Sequence, residues 1–166
     1  MYRLWLSVLG AGFSPVAPGT CGSAVVTILF VVAALLGLSG GQLLGLLLIV
    51  ALHGCVVTVL YGQRFIDKYG PDPGPVVSDE QAGQALTYCW LWSFAGGVRE
   101  ILAVALVGFF LFRLFDIFKP PPVRQLETLP GAWGVLLDDV MAGVYAAATL
   151  QIIVRVPTWQ SMLGIV

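Results

Sequence analysis

From Leu4 to Gln63 the chain carries no Asp, Glu, Lys or Arg. A membrane-spanning helix needs about 20 apolar residues, so this stretch holds two. Further along, proline, glycine and charge divide the sequence into apolar segments near 22–38, 42–62, 82–98, 101–115 and 140–157. Gly-Leu-Ser-Gly-Gly at 37–41 reads as a tight turn between the first two. Ile101–Phe115 is short for a full crossing. The pattern predicts an all-α polytopic membrane protein with four or five membrane-embedded helices, forming one domain over residues 1–166. Met-Tyr-Arg followed by Leu4–Leu9 imitates a short signal peptide, but Pro15 and Pro18 lead directly into further membrane segments, so an uncleaved N-terminus is expected.

Composition agrees with this reading. Of 166 residues, 58% are apolar and 10% charged, with a mean hydropathy of +0.93, against about 25% charged residues in a soluble domain. The lipid bilayer is therefore the expected surroundings. A net charge of −1 and the absence of any RNA or DNA motif set nucleic-acid binding aside. Cys21, Cys55 and Cys89 are too far apart for a metal or disulfide pattern and read as buried apolar fillers. If five segments cross, Arg3, Arg64, Lys68, Arg113, Lys119 and Arg124 share one side, with Arg99 and Arg155 opposite. That bias assigns the first side to the cytoplasm.

Three polar islands fall on that same side. The first, Ser14–Ser23, has Gly19 and Gly22 to free the backbone, and Thr20 and Ser23 to offer hydroxyls before an apolar helix. Such a helix start binds anions through its free N–H groups, although Thr20 or Ser23 serving as a plain N-cap explains the residue types equally well. In the second island, running from Asp72 to Glu80, Asp79 and Glu80 open an apolar run. They serve either as partners of the helix dipole or as site residues. Neighbouring helical residues point about 100° apart, so one of the pair is expected to face a site directly and the other to steady it. Gly83, on the face of Asp79, leaves room for a ligand or another helix.

In the third island Arg113, Asp116 and Lys119 recur every third residue along one side of a helix, beside Phe109, Phe112, Phe115 and Phe118. An internal ion-pair ladder is the simpler account of that spacing. Pro120–Pro122 end the helix and predict an extended arm. Asp138 and Asp139 then open another apolar helix with a small-residue face at Ala142, Gly143, Ala146 and Ala147. Five carboxylates gathered beside low dielectric repel one another unless they are protonated or neutralised by a cation. Magnesium suits an all-oxygen site shared with phosphate. Zinc does not suit a chain with one histidine and no paired cysteines. His53, inside the second apolar segment, reads as helix-packing glue rather than a catalyst.

With those islands in order, the chain resembles the phosphatidylglycerophosphatase A family over nearly its whole length. The first signature is carried by Gly10, Gly12, Pro15, Ala17, Pro18, Gly19, Thr20, Gly22 and Ser23, and the second by Asp72, Pro73, Val77, Asp79, Glu80 and Gly83. The third is carried by Phe112, Arg113, Phe115, Asp116, Ile117, Lys119, Pro120, Pro122, Glu127, Gly131, Gly134, Asp138, Asp139, Ala142 and Gly143. Ala132 replaces a common glycine and Leu136 a usual methionine. The resemblance implies a magnesium-dependent bacterial enzyme of the inner membrane, acting at the cytoplasmic leaflet on phosphatidylglycerophosphate to give phosphatidylglycerol.

On that basis Asp79, Asp116, Asp138 and Asp139 are expected to hold Mg2+, directly or through water, while Arg113 and Lys119 clamp phosphate, with Thr20 and Ser23 as further phosphate contacts. Glu80 is expected to orient or deprotonate the attacking water, a role that Asp79 can exchange with it, and Asp116 belongs to the same catalytic group. Attack by Thr20 itself has no histidine base nearby to support it. No cysteine is followed six residues later by arginine, no Asp-x-Asp pair occurs, and one histidine cannot fill a two-histidine phosphatase site. The rival reading is a small ion- or proton-coupled transporter subunit, which places acids near the bilayer midplane rather than at segment ends. Gly41 and Gly45 have helix-pairing spacing and raise the expectation of a homo-oligomer.

Overall fold

The computed structural model describes residues 2–70, 73–91 and 97–156, and within them every regular element is helical. In chain order these are α1 (Tyr2–Leu6), α2 (Pro18–Leu35), α3 (Gly40–Tyr69), α4 (Ser78–Cys89), α5 (Val98–Phe118), α6 (Val123–Glu127) and α7 (Ala132–Arg155). A single 3-10 turn at Ala11–Phe13 joins α1 to α2. Four helices, α2, α3, α5 and α7, are long and apolar enough to cross a membrane. Asp72, part of the second signature, lies outside the described residues, as do 92–96 of the expected third segment and 157 at the end of the fifth.

The third apolar segment is not a fourth-in-kind span. At 12 residues α4 is about 18 Å long, well short of a hydrocarbon core of about 30 Å. Ser78, Gln81, Gln84 and Thr87 make it too polar to face lipid, and all four are buried because α2, α3, α5 and α7 each pack against it. The fourth segment is longer than its apolar run. α5 continues through Arg113 and Asp116, which pair with each other one turn apart and let the helix proceed past its charges. α7 starts at Ala132, so Asp138 and Asp139 lie nearly two turns inside it rather than in its first turn, and the helix dipole does not account for them.

α2 likewise begins before the expected position. Pro18 takes its first turn, Ala17 adopts a left-handed conformation as N-cap, and no side chain caps the helix. Thr20 and Ser23 therefore sit inside α2, and the N-cap explanation of these residues is set aside. The 37–41 turn forms as expected. Gly37 takes φ +78°, and Ser39 and Gln42 make a reciprocal capping box at the start of α3. Pro120–Pro122 form a turn leading into α6 rather than an extended arm.

Apolar side chains lie on both the inside and the outside of the bundle. Inside, Phe30 stacks on Tyr88 with ring centroids 4.4 Å apart, within a core that includes Val26, Leu47, Val104 and Leu150. Outside, Ile28, Ile49, Leu52, Leu60, Phe110 and Ile152 are exposed along the four long helices. An exterior this apolar belongs in lipid. Cys89 is buried and Cys21 and Cys55 partly so, all as free thiols. His53 Nδ1 lies 3.1 Å from Gln81 Nε2, a bond between α3 and α4. Among the described residues nothing lies within 4 Å of where a side chain would begin at Gly41 or Gly45.

Candidate active site

One end of the bundle gathers the end of α3, the start of α4, the end of α5, α6 and the start of α7 around a cavity of about 380 Å³. Its polar lining comprises Asp79, Glu80, Arg113, Asp116, Lys119, Glu127, Asp138 and Asp139, with Ile66, Ile117, Leu129, Gly131 and Val135 closing the rest. All five expected carboxylates and both expected cations thus share one cavity. They divide into two kinds. Asp79, Glu80 and Asp139 each bring an oxygen within 4.8 Å of the other two. Asp116 and Asp138 instead answer the cations: Asp116 Oδ2 lies 2.6 Å from Arg113 Nη1, and Lys119 Nζ donates to Asp138 Oδ2 at 2.8 Å and to Glu127 Oε1 at 2.7 Å.

Both members of the Asp79–Glu80 pair reach the same cluster, so the expected division into one facing and one supporting acid does not hold for them. The pair lies in the first turn of α4, where Asp79 is turned toward α7 and the longer Glu80 arm passes between α2 and α5. The division does hold for the second pair: Asp139 joins the trio while Asp138 holds Lys119 and accepts from the Asp139 N–H at 3.0 Å.

Glycines set these distances. A Cβ on Gly83 would overlap the Asp139 carbonyl oxygen, and one on Gly143 would overlap the Gly83 carbonyl oxygen. α4 and α7 therefore touch backbone to backbone, one helical turn from Asp79 and Asp139. The expected room beside Gly83 is filled by α7 and by the Phe112 ring. On the other side a Cβ on Gly19 would overlap Glu80 Oε1 and come within 3.3 Å of Arg113 Nη1. The first island therefore enters the site through a missing side chain. Its hydroxyls stay out: Ser23 is fully buried and donates to the Gly19 carbonyl at 2.9 Å, and Thr20 does not line the cavity.

Burial, followed by the charge of Glu80, holds the Asp79 carboxyl well above the usual carboxylate range. Burial also pushes Glu80 up, to about 7, with Asp116 opposing its charge and Arg113 favouring it. For Lys119 burial pulls down, but the hydrogen bonds of Asp138 and Glu127 outweigh it and leave the ammonium raised and firmly charged. Asp79 Oδ1, Glu80 Oε2 and Arg113 Nε are buried without hydrogen-bond partners. A cluster with acceptors converging on one point and cations at its rim is suited to a hard cation and a bound anion.

A model of the phosphatidylglycerophosphatase A family matches residues 4–154. The chain belongs to that family. Phosphatidylglycerophosphatase A of Escherichia coli K12 is 33% identical over 145 residues, covering 87% of this chain and 78% of the relative. Its counterpart in Haemophilus influenzae is 37% identical over 138 residues, covering 82% and 78%. A Bacteroides thetaiotaomicron protein with the provisional name phosphatidylinositol-3-phosphatase is 32% identical over 157 residues, covering 90% and 89%. No solved structure matches.

Two parts of this family member's site were not assigned from sequence. Glu127 belongs to the third signature, yet its bond to Lys119 spans the Pro120–Pro122 turn, where no helical periodicity applies. By sequence Gly19 is a free backbone hinge, and only the position of α4 shows that Glu80 occupies the space beside it.

Proposed function

We propose that this chain hydrolyses phosphatidylglycerophosphate to phosphatidylglycerol and phosphate with the help of Mg2+, working from the cytosolic face of a bacterial inner membrane. The observation that carries the reading is the convergence of Asp79, Glu80 and Asp139 in one cavity with Arg113 and Lys119. Three carboxylates, Asp79 and Asp139 buried and Glu80 half-buried, two with orphaned oxygens, fit a small hard cation and disfavour each other without one. Asp79, Glu80 and Asp139 would hold it, in place of the set Asp79, Asp116, Asp138 and Asp139 read from sequence. When bound, Mg2+ supplies charge stabilisation to the phosphoryl group and lowers the pKa of a coordinated water.

Arg113 and Lys119 bind the phosphate oxygens, each kept in place by its own carboxylate, Asp116 for the first and Asp138 with Glu127 for the second. The attacking water gives its proton to an acid of the cavity, with Glu80, beside Asp79 at the start of α4, as the candidate base. Its oxygen bonds to phosphorus, the bond from phosphorus to the glycerol oxygen breaks, and that oxygen takes a proton to become the free hydroxyl of phosphatidylglycerol. Ile117 and Leu129 place apolar surface beside the charged lining, as a substrate that is half lipid requires. Arg113 and Lys119 line the cavity and Arg64, Lys68 and Arg124 lie at the same end of the bundle, against Arg99 and Arg155 at the far ends of α5 and α7, a bias that supports the cytosolic orientation, and the bacterial relatives support the membrane. The transporter reading has no support from the family, and the acids lie at one end of the bundle.

The test is phosphate release by the purified chain in liposomes, with phosphatidylglycerophosphate and phosphatidylinositol 3-phosphate offered separately. The second lipid answers to the name of the Bacteroides relative. Mg2+-dependent release from the first, lost in Asp79→Asn and Asp139→Asn, is expected. Absence of release from phosphatidylglycerophosphate by a folded chain overturns the proposal.

A further inference from the structure

Gln84 is fully buried in α4, and neither Oε1 nor Nε2 of its side chain has a hydrogen-bond partner. A buried amide unpaired at both ends is costly, and proteins seldom retain one without a use for it. It lies four residues after Glu80 and four before Tyr88, so the three share one face of the helix. That face meets α2, where Gly19, Ser23 and Thr27 repeat the same spacing. Gly19 lies against Glu80 at one end of the row, and Thr27 Oγ1 lies 3.2 Å from Tyr88 Oη at the other.

Most polar groups along this row are satisfied. Ser23 donates to the Gly19 carbonyl at 2.9 Å, Thr27 to the Ser23 carbonyl at 3.0 Å, and Tyr88 to the Ala105 carbonyl at 2.7 Å. Two are not: the Gln84 amide and, one turn toward the cavity, Glu80 Oε2. The first offers a donor and the second needs one.

We infer that Gln84 is a positioning residue of the hydrolytic site, its amide N–H holding Glu80 Oε2 through one enclosed water and so fixing how the Glu80 carboxylate is presented to Asp79 and Asp139. Gln84 lies outside the cavity lining and acts only through Glu80. The inference rests on the function proposed above for the role of Glu80, but its consequences reach beyond activity. An amide that only fills space is better replaced by an apolar chain of the same length, because the unpaired polar atoms disappear with it. An amide that orients Glu80 cannot be replaced without disturbing the site.

The experiment compares wild type with Gln84→Met and Gln84→Asn as full-length purified chains. It measures thermal unfolding without metal, Mg2+ affinity by calorimetry, and kcat and KM in liposomes. The expected result for Gln84→Met is an unfolding temperature at or a little below wild type, Mg2+ affinity several-fold weaker, and kcat lower by about tenfold with KM unchanged. Gln84→Asn, whose amide is one methylene short, should fall between the two. Wild-type Mg2+ affinity and kcat in a stable Gln84→Met chain would overturn the inference. So would a Gln84→Met chain that loses stability yet keeps wild-type kcat per folded molecule. If wild type itself releases no phosphate, the proposed function fails, while the Mg2+ affinities of the variants still judge Gln84.

Discussion

Gly83 and Gly143 touch backbone to backbone, so closely that a methyl group on Gly143 would overlap the Gly83 carbonyl oxygen. Each follows its site acid by the same interval: Asp79 lies four residues before Gly83, and Asp139 four before Gly143. The helix contact therefore brings the two carboxylates together. Gly143→Ala should separate α4 from α7, lower stability by about 1 to 3 kcal/mol, and reduce phosphate release by at least about tenfold. Gly45→Ala, on an open face of α3, should stay within about 0.5 kcal/mol of wild type. Thermal unfolding and phosphate release, measured on the same preparations, check both.

The first island contributes space rather than hydroxyls. Gly19→Ala should displace Glu80 and cut kcat by about tenfold or more, with a small effect on unfolding because the colliding atom ends a flexible side chain. Thr20→Val should leave kcat within about twofold, since its hydroxyl does not line the cavity. Ser23→Ala should cost about 1 kcal/mol of stability through its lost bond to Gly19, with kcat little changed. Inactive Thr20→Val with an intact fold would restore Thr20 as a nucleophile.

Asp138 and Asp139 are adjacent yet should behave differently. Asp139→Asn removes one of three converging anionic oxygens and should weaken Mg2+ binding by about tenfold or more. Asp138→Asn releases Lys119 from its 2.8 Å partner and should raise KM with Mg2+ affinity within a few-fold of wild type. Calorimetric Mg2+ titration beside steady-state kinetics separates the two. Equal loss of Mg2+ affinity in both variants would return Asp138 to the ligand set.

Asp79 and Glu80 titrate higher in the fold than in the unfolded chain, Glu80 at about 7. The metal-free fold then binds protons that the unfolded chain releases. Its stability is fully present below the ordinary carboxylate pKa, about 4, and is lost as pH rises toward 7, by an amount on the order of a few kcal/mol. The unfolding temperature of metal-free protein should thus be higher at pH 5 than at pH 8, and Mg2+ should raise it more at pH 8, where no proton competes for the site. A flat profile without metal would show that these carboxyls are not desolvated as the fold implies.

Much of this protein was legible in its residues. An uncharged stretch from Leu4 to Gln63 commits α2 and most of α3 to an apolar surrounding, and the acids at 79–80, 116 and 138–139 stand where apolar runs begin or end. Hydrophobic length and charge are properties of each segment by itself, so sequence alone determined the all-α membrane architecture and, Glu127 apart, the acids and cations at the site. It did not determine α4. An apolar average over 82–98 hides a polar 12-residue helix that survives only because four others enclose it. Nor did it determine which acids converge. Helical spacing separates Asp79 from Glu80, but the contact of Gly83 with Gly143 and the gap at Gly19 bring Asp79, Glu80 and Asp139 to one point and leave Asp116 and Asp138 to hold the cations. Those distances arise from helices far apart in the chain, and only their packing sets them.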